Sequence, residues 1–251
     1  MDYFASNPFC TRIVRPGAIE YTFDQQGPRG DRDGDHGDAV EGLVSRIAKN
    51  RCHLIVGPHG SGKSTLIRAL VSQLEKQFSK LVEIQLHNPP ELSPQQPVRG
   101  LLGCIFGRPI HKRQMRICVA RQQTTLNGGG LLVIDGLEQL SWFAVVAIRL
   151  RARHRGQTVL ATSHRSHRGF AVLRNTTLDA GKIIALTESL IASIAESEQT
   201  LVRRELDRRS LGPQTNLRDL WFDLYDLIET SRRQQYARSL DRRVYPVATQ
   251  P

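Results

Sequence analysis

No stretch of this chain approaches the roughly 20 consecutive apolar residues needed to cross a bilayer. Its first residues, Met-Asp-Tyr-Phe-Ala-Ser-Asn-Pro, lack the basic start and apolar stretch of a secretion signal. A cytoplasmic protein with no membrane partner is expected. Cysteine is scarce: Cys10, Cys52, Cys104 and Cys118 lie far apart, with no Cys-x-x-Cys pair and no histidines at metal-ligand spacing. That argues against a disulfide framework or a zinc site and reads all four as reduced thiols. Acidic residues are missing from two long stretches, Leu92 to Ile134 and Gln139 to Leu178, in a chain of formal net charge +11. Such stretches could face phosphates. The plainer account is that these arginines are solvated or surround a bound anion, because no recognised nucleic-acid module is present. DNA or RNA stays open as a partner without being indicated.

What is present begins with Gly57-Pro58-His59-Gly60-Ser61-Gly62-Lys63-Ser64, placed between an apolar run, Cys52 to Val56, and a helical pattern starting near Ser64. This is a phosphate-binding loop in its proper context. A triphosphate needs many short donors converging from one side. Glycines let the backbone turn tightly and aim its N–H groups inward, and the helix that follows adds its positive end. The nucleotide-binding set is therefore Gly57, Pro58, His59, Gly60, Ser61, Gly62, Lys63, Ser64 and Thr65. Lys63 is expected to reach the β- and γ-phosphates, and the Ser64 hydroxyl to help hold a Mg²⁺ ion.

At 251 residues the chain can bury roughly 70 to 75% of its unfolded surface, enough for one substantial core and a small appendage. Phe9 to Phe23 alternates apolar and polar residues and predicts a short strand or hairpin, whereas Asp24 to Asp38 has almost no apolar side chain and predicts a mobile loop. The aspartates at 31, 33 and 35 fail the calcium-loop register, since the required glycine falls on His36 and the bidentate glutamate on Gly42. Residues 1–38 are thus read as an N-terminal extension, 39–180 as the core, and 181–251 as a helical segment with a basic tail.

Within the core, helical spacing covers Ala39 to Lys49, and Leu66, Leu70 and Leu74 share a face after the loop. Strands are predicted at Cys52–Val56, Leu81–Leu86, Leu131–Asp135 and Thr158–Ser163, with a fifth at Thr176–Leu178. Ser141 caps a helix that runs to about Arg155 and stops at Gly156. The segment 91–127 resists assignment apart from a helical pattern around Gln114 to Gln123. Strands alternating with helices imply an α/β three-layer sandwich with a mostly parallel five-stranded sheet and a small helical C-terminal segment. In that segment Asn216 and Asp219 form a capping box, Leu217, Leu220, Trp221, Leu224, Leu227 and Ile228 make an apolar stripe, and the arginine-rich stretch after Ser231 is expected to fray.

Hydrolysis asks for more than binding: a positioned metal and an activated water. Asp135, at the end of an apolar strand, is the natural second partner of Mg²⁺; its other reading is a helix cap. Glu138 could polarise the attacking water or be a solvated carboxylate at a helix start. At the tip of the next strand Ser163 or His164 could sense the γ-phosphate, and a loop contact explains them nearly as well. Arg149, Arg151, Arg153, Arg155, Arg165 and Arg168 are all candidates for a transition-state arginine.

At Gly57 to Ser64 and Leu131 to Leu140 the chain resembles P-loop NTPases of the additional-strand group, the AAA+ and STAND ATPases. Asp135-Gly136-Leu137-Glu138-Gln139-Leu140 is similar to the second Walker motif of NACHT-type ATPases, typically Asp-Gly-Leu-Asp-Glu-Leu. The resemblance implies an ATP-driven switch in which Lys63 and Glu138 serve catalysis and Ser64 and Asp135 hold Mg²⁺. Gln139 departs from the family's last acid, and many related enzymes place a glutamate where Gly136 stands. No Leu-Ser-Gly-Gly-Gln signature and no Asn-Lys-x-Asp motif occurs, which argues against a transporter ATPase and leaves ATP rather than GTP as the expected ligand. Two other functions stay open: a kinase acting on a small molecule or nucleotide, and a nucleic-acid-associated or scaffold protein using ATP as a conformational ligand. A homo-oligomer or protein partner is compatible with each.

Overall fold

The computed structural model describes residues 6–15, 17–19, 21, 36–86 and 130–244. The chain divides into two compact units. One comprises residues 20–57 and 62–176; the other comprises 1–19, 58–61 and 177–251.

The first unit is built on a sheet of five parallel strands, β1 (Cys52–Val56), β2 (Leu81–Gln85), β3 (Leu131–Asp135), β4 (Thr158–Ser163) and β5 (Ala171–Asn175), in the order β2-β3-β4-β1-β5. Parallel neighbours demand crossovers, and helices on both faces provide the cover. The continuous apolar run of β3 is sorted by strand alternation. Leu132 and Ile134 enter a layer with Ala144, Val145, Ile148 and Ala152 of a helix at Trp142–Arg155, while Leu131 and Val133 enter the opposite layer. That opposite layer contains Val40, Leu43, Val44 and Ile47 of α2 (His36–Lys49) and Leu66, Ile67, Leu70 and Leu74 of α3 (Lys63–Gln77). These side chains are all buried. Helix Trp142–Arg155, here α4, starts where Ser141 Oγ accepts from the Ala144 N–H at 3.4 Å and stops at Gly156, as its sequence predicts.

Three expectations are corrected. Thr11–Val14 is a helical turn, α1, rather than part of a strand: the Cys10 N–H donates to the Asn7 carbonyl at 3.1 Å and Asn7 Oδ1 accepts from the Phe9 N–H at 3.1 Å, so the chain turns instead of extending. The fifth strand lies at 171–175, not 176–178: Leu173 enters the core layer, and Thr176, just past the strand end, bonds its N–H to the Val56 carbonyl of β1 at 2.8 Å. The stretch after Ser231 does not fray at once but continues as helix to Val244. Of the stretch read as a loop, residues 24–35 lie outside the described residues, as does the helical pattern at 114–123, and 36–38 belong to α2.

The second unit packs α5 (Ala180–Ile191), α6 (Glu196–Arg208) and α7 (Leu217–Val244) around Ile183, Ile191, Val202, Leu206, Leu220, Trp221, Leu224 and Ile228, with Phe9 inserted among them. Trp221 is core, as its helical stripe implies, and its indole N–H donates to Thr187 Oγ1 at 3.1 Å, so burial strands no donor. Arg232 holds Glu198 through two bonds of 2.7 and 3.0 Å. Asn216 caps α7 by accepting from the Arg218 N–H at 3.2 Å and donates its own amide to Asp219 at 2.7 Å, a variant of the predicted box.

Within the sheet unit, His53 is buried on β1 with its ring nitrogen 3.2 Å from the Asn50 carbonyl. Burial pushes its pKa below the ordinary histidine value, against the hydrogen bonds to Asn50 and Ile47, which raise it. The native state therefore holds His53 neutral where an unfolded chain would bind a proton, and stability falls as pH drops through the ordinary histidine pKa. His167, also lowered chiefly by burial, acts in the same direction. Urea midpoints taken from about pH 7.5 to about pH 5.5 are expected to decline, and His53→Gln to flatten that decline. A pH profile that the substitution leaves unchanged would remove His53 as its cause.

Candidate functional site

The chemistry-bearing side chains gather at the C-terminal ends of β1, β3 and β4, where parallel α/β sheets bind ligands. Gly57 leaves β1 with its N–H bonded to the Ser163 carbonyl of β4 at 3.1 Å, which fixes the start of the phosphate loop against the sheet. The loop ends at Gly62, held at φ +88°, and α3 begins at Lys63. Gly62 offers no side-chain cap and the first turn of α3 carries no acid, so nothing from the helix itself neutralises its positive end. Pro58, His59, Gly60 and Ser61 carry the chain from Gly57 to Gly62, and Thr65 lies in the first turn of α3.

Lys63 is buried, and its ammonium donates to the Gly57 carbonyl at 2.8 Å. Burial pulls its pKa below the ordinary lysine value, opposed by the carboxylates of Glu138 and Asp135. Next to it, Ser64 Oγ donates to Asp135 Oδ2 at 2.7 Å, and the other carboxylate oxygen accepts from Thr162 Oγ1 at 2.6 Å. Thr162 Oγ1 in turn accepts from the Gly136 N–H at 2.8 Å. The pair assigned to the metal is thus already in contact, and Asp135 is locked in one orientation from the neighbouring strand.

Glu138 sits on a one-turn 3-10 helix, η1 (Leu137–Gln139), directly after β3. One oxygen lies 3.0 Å from His164 Nε2, and the other, Oε2, is buried without a hydrogen-bond partner. His164 Nδ1 lies 3.1 Å from the Gly57 carbonyl and 3.5 Å from Lys63 Nζ, so this ring links the loop lysine to the acid. Ser163 points elsewhere: its Oγ is 3.0 Å from His167 Nε2 and accepts from the Arg165 N–H at 3.3 Å. Of the two residues expected at this strand tip, the structure brings His164 to Lys63 and Glu138, and engages Ser163 with His167.

The backbone explains why no acid follows Asp135 directly. Gly136 has φ +95°, and a Cβ there would come 2.9 Å from the Leu86 carbonyl. Only glycine fits without strain, so the second acid arrives three residues later, on η1. Thr162 is the residue that sequence reasoning missed. Its signal was a polar side chain directly after the apolar run Val159–Ala161, one place before the strand tip.

Residues 47–168 match a protein-family profile described as an AAA domain. This segment is similar to an AAA-type P-loop NTPase domain. The match brackets the phosphate loop, Asp135, Glu138, Thr162 and His164, so every residue of the contact network lies inside the matched segment. No curated protein matches the chain. A solved structure titled "Structure of C. elegans PCH-2" aligns over 77% of this chain and 68% of that chain at 13% identity, with a TM-score of 0.39. The match supports a nucleotide-binding segment of the general ATPase type.

Proposed function

We propose that this chain hydrolyses ATP with Mg²⁺ and uses the nucleotide to switch conformation. The observation that carries the reading is Glu138: a carboxylate oxygen buried without a partner, beside a phosphate-loop lysine and a serine–aspartate pair. A buried acceptor left unpaired is costly in a native structure and indicates a polar group that belongs there. An attacking water satisfies it. Glu138 would take that water's proton while His164 holds the acid's other oxygen in place.

The remaining roles follow from position. Lys63 would leave the Gly57 carbonyl for the β- and γ-phosphates, as a compact cation on a flexible stem. Ser64 and Asp135 present hard oxygens of the kind Mg²⁺ prefers, and one carboxylate with a hydroxyl suits an ion that keeps waters and phosphate oxygens for its other positions. Accordingly, no group of three or more His, Cys, Asp or Glu among the described residues forms a metal cage. When bound, Mg²⁺ supplies neutralisation of charge developing on the phosphates. Thr162 keeps the Asp135 carboxylate facing Ser64. The switch reading rests on Lys63 and His164, which share the Gly57 carbonyl and would have to exchange partners when phosphates enter. Similarity of 135–140 to the NACHT-type motif supports it.

The test is inorganic phosphate release from ATP in the absence of any acceptor. Release is expected with Mg²⁺ and should vanish with excess EDTA. ADP formation that requires an added acceptor would instead identify a kinase, and ATP bound but never turned over would reduce the chain to a nucleotide-bound scaffold.

A further inference from the structure

Helix α4 buries Ala144, Val145, Ile148 and Ala152 against the sheet, yet its outward side is far from an ordinary solvated face. Trp142, Phe143 and Leu150 are 63, 51 and 55% exposed, and the two aromatic rings meet edge to face at 5.0 Å. Positions 142, 146, 149, 150 and 153 fall on one side of a helix with 3.6 residues per turn. The same side therefore presents Trp142 with Arg149 and Arg153. Two further guanidinium-bearing residues join them. Arg51 Nη1 donates to the Arg153 carbonyl at 3.1 Å, and Arg149 Nη1 donates to the Arg168 carbonyl at 2.8 Å.

Like charges gathered this way need counter-charge, and the described residues supply none. Among the described residues none of Arg51, Arg149, Arg153 and Arg168 is ion-paired with a carboxylate. Arg149 Nε is buried with no hydrogen-bond partner. The Cys52 thiol, whose pKa is raised chiefly by burial, lies within electrostatic reach of Arg149, Arg153 and Arg51, which act in the opposite direction. A helix C-terminus attracts cations to its last turn, which accounts for Arg153 and Arg155 but not for Arg51, Arg149 or Arg168.

We propose that the outward face of α4, with Arg51 and Arg168 beside it, binds single-stranded nucleic acid. Bases stack on Trp142 and Phe143, and phosphates are taken by the guanidinium groups, which form charge-assisted bonds to anionic oxygens and leave sequence unread. An acidic protein segment would use the arginines alone, whereas a nucleotide chain uses both features of the face. A duplex, whose bases are already stacked, would leave the aromatics idle. The site lies on α4 and around Cys52, apart from the phosphate-loop network, and does not depend on hydrolysis.

The experiment is fluorescence anisotropy of the full chain with fluorescein-labelled oligo-dT, oligo-U and a DNA duplex, without ATP, across about 50 to about 300 mM KCl. Single strands are expected to bind at the lowest salt and to lose affinity steeply as salt rises. Replacing two phosphate contacts, in the double variant Arg153→Gln with Arg168→Gln, should weaken binding and lower the log–log salt slope by about 1.4, from roughly 0.7 per phosphate. Trp142→Ala should weaken binding by about fivefold or more with the slope unchanged. All three replaced side chains belong to exposed residues, so thermal midpoints should hold. Oligonucleotide binding should also persist in Lys63→Ala, which separates this face from the phosphate loop. The relative affinity for oligo-dT and oligo-U tells which nucleic acid the face prefers. The proposal is overturned by no binding at the lowest salt, by a duplex bound as tightly as single strands with Trp142→Ala indifferent, or by polyglutamate displacing the oligonucleotide at equal charge concentration.

Discussion

Lys63→Ala is expected to weaken ATP binding by about tenfold to a hundredfold, the range for losing a hydrogen bond to a charged group. Turnover, measured with saturating nucleotide, should fall by a further factor of about 10² to 10³, as when one preorganised donor to a developing negative charge is removed. The residue is prepared for this role. Its ammonium is buried, its pKa is lowered by that burial, and its bond to the Gly57 carbonyl holds it in the loop it serves. Burying an ammonium is costly unless it is paired, and a triphosphate offers it far more negative charge than the neutral Gly57 carbonyl does. Removing the side chain leaves the Gly57 carbonyl with His164 Nδ1 3.1 Å away, so the loop itself should stay folded. Equilibrium titration with a fluorescent ATP analogue checks the result, and an affinity equal to that of the parent chain would exclude the phosphate role.

Glu138→Gln is expected to separate binding from chemistry. The amide keeps the shape of the acid and an oxygen for His164, but it cannot accept a proton from water. Nucleotide affinity should stay within about threefold of the parent, a difference well under 1 kcal/mol, while turnover drops by about 10² to 10⁴, the usual contribution of a general base. The two oxygens of Glu138 make the prediction specific. One is held by His164 and the other is buried and unpaired, so the substitution removes proton-accepting ability without removing a stabilising contact from that second oxygen. Single-turnover phosphate release is the direct measurement. Unchanged turnover would return Glu138 to the role of a carboxylate anchored by histidine, and water activation would have to come from another group.

The phosphate loop was legible because its function is written in consecutive residues. Strand, glycine-rich turn, lysine and helix start adjoin one another, and local backbone geometry suffices to aim them. The place of Asp135 at the end of β3 was legible for a related reason: an apolar run closed by an acid marks where a buried parallel strand stops. The limits of α4 followed from Ser141 and Gly156, a cap and a stop read from adjacent residues. Local chemistry is also where that reading failed. Residues 11–14 lie in the stretch Phe9 to Phe23 read as a strand or hairpin, but the turn bonds of Asn7 decide the conformation, and α7 continues past Ser231, where Arg232 is tied to Glu198 across the helical unit.

What only the tertiary structure decided is which strand ends meet. Thr162 and Asp135 are 27 residues apart, and His164 and Gly57 are 107 apart. The order β2-β3-β4-β1-β5 brings them together by pairing β4 with both β3 and β1. Nothing in a linear pattern states that order, since any parallel arrangement would satisfy the same alternation of strands and helices. The same holds for Gly136, which reads as a missing acid in the sequence and as a required left-handed turn against Leu86 in the structure. It holds also for Arg51, Arg149 and Arg153, which the sequence separates by about a hundred residues and the fold brings within electrostatic reach of Cys52. The amino-acid sequence by itself determined that this chain holds a nucleotide, because phosphate recognition is a local backbone property. The tertiary structure decided how the acid, the histidine and the basic face are placed, because those are distances between segments that only packing brings together.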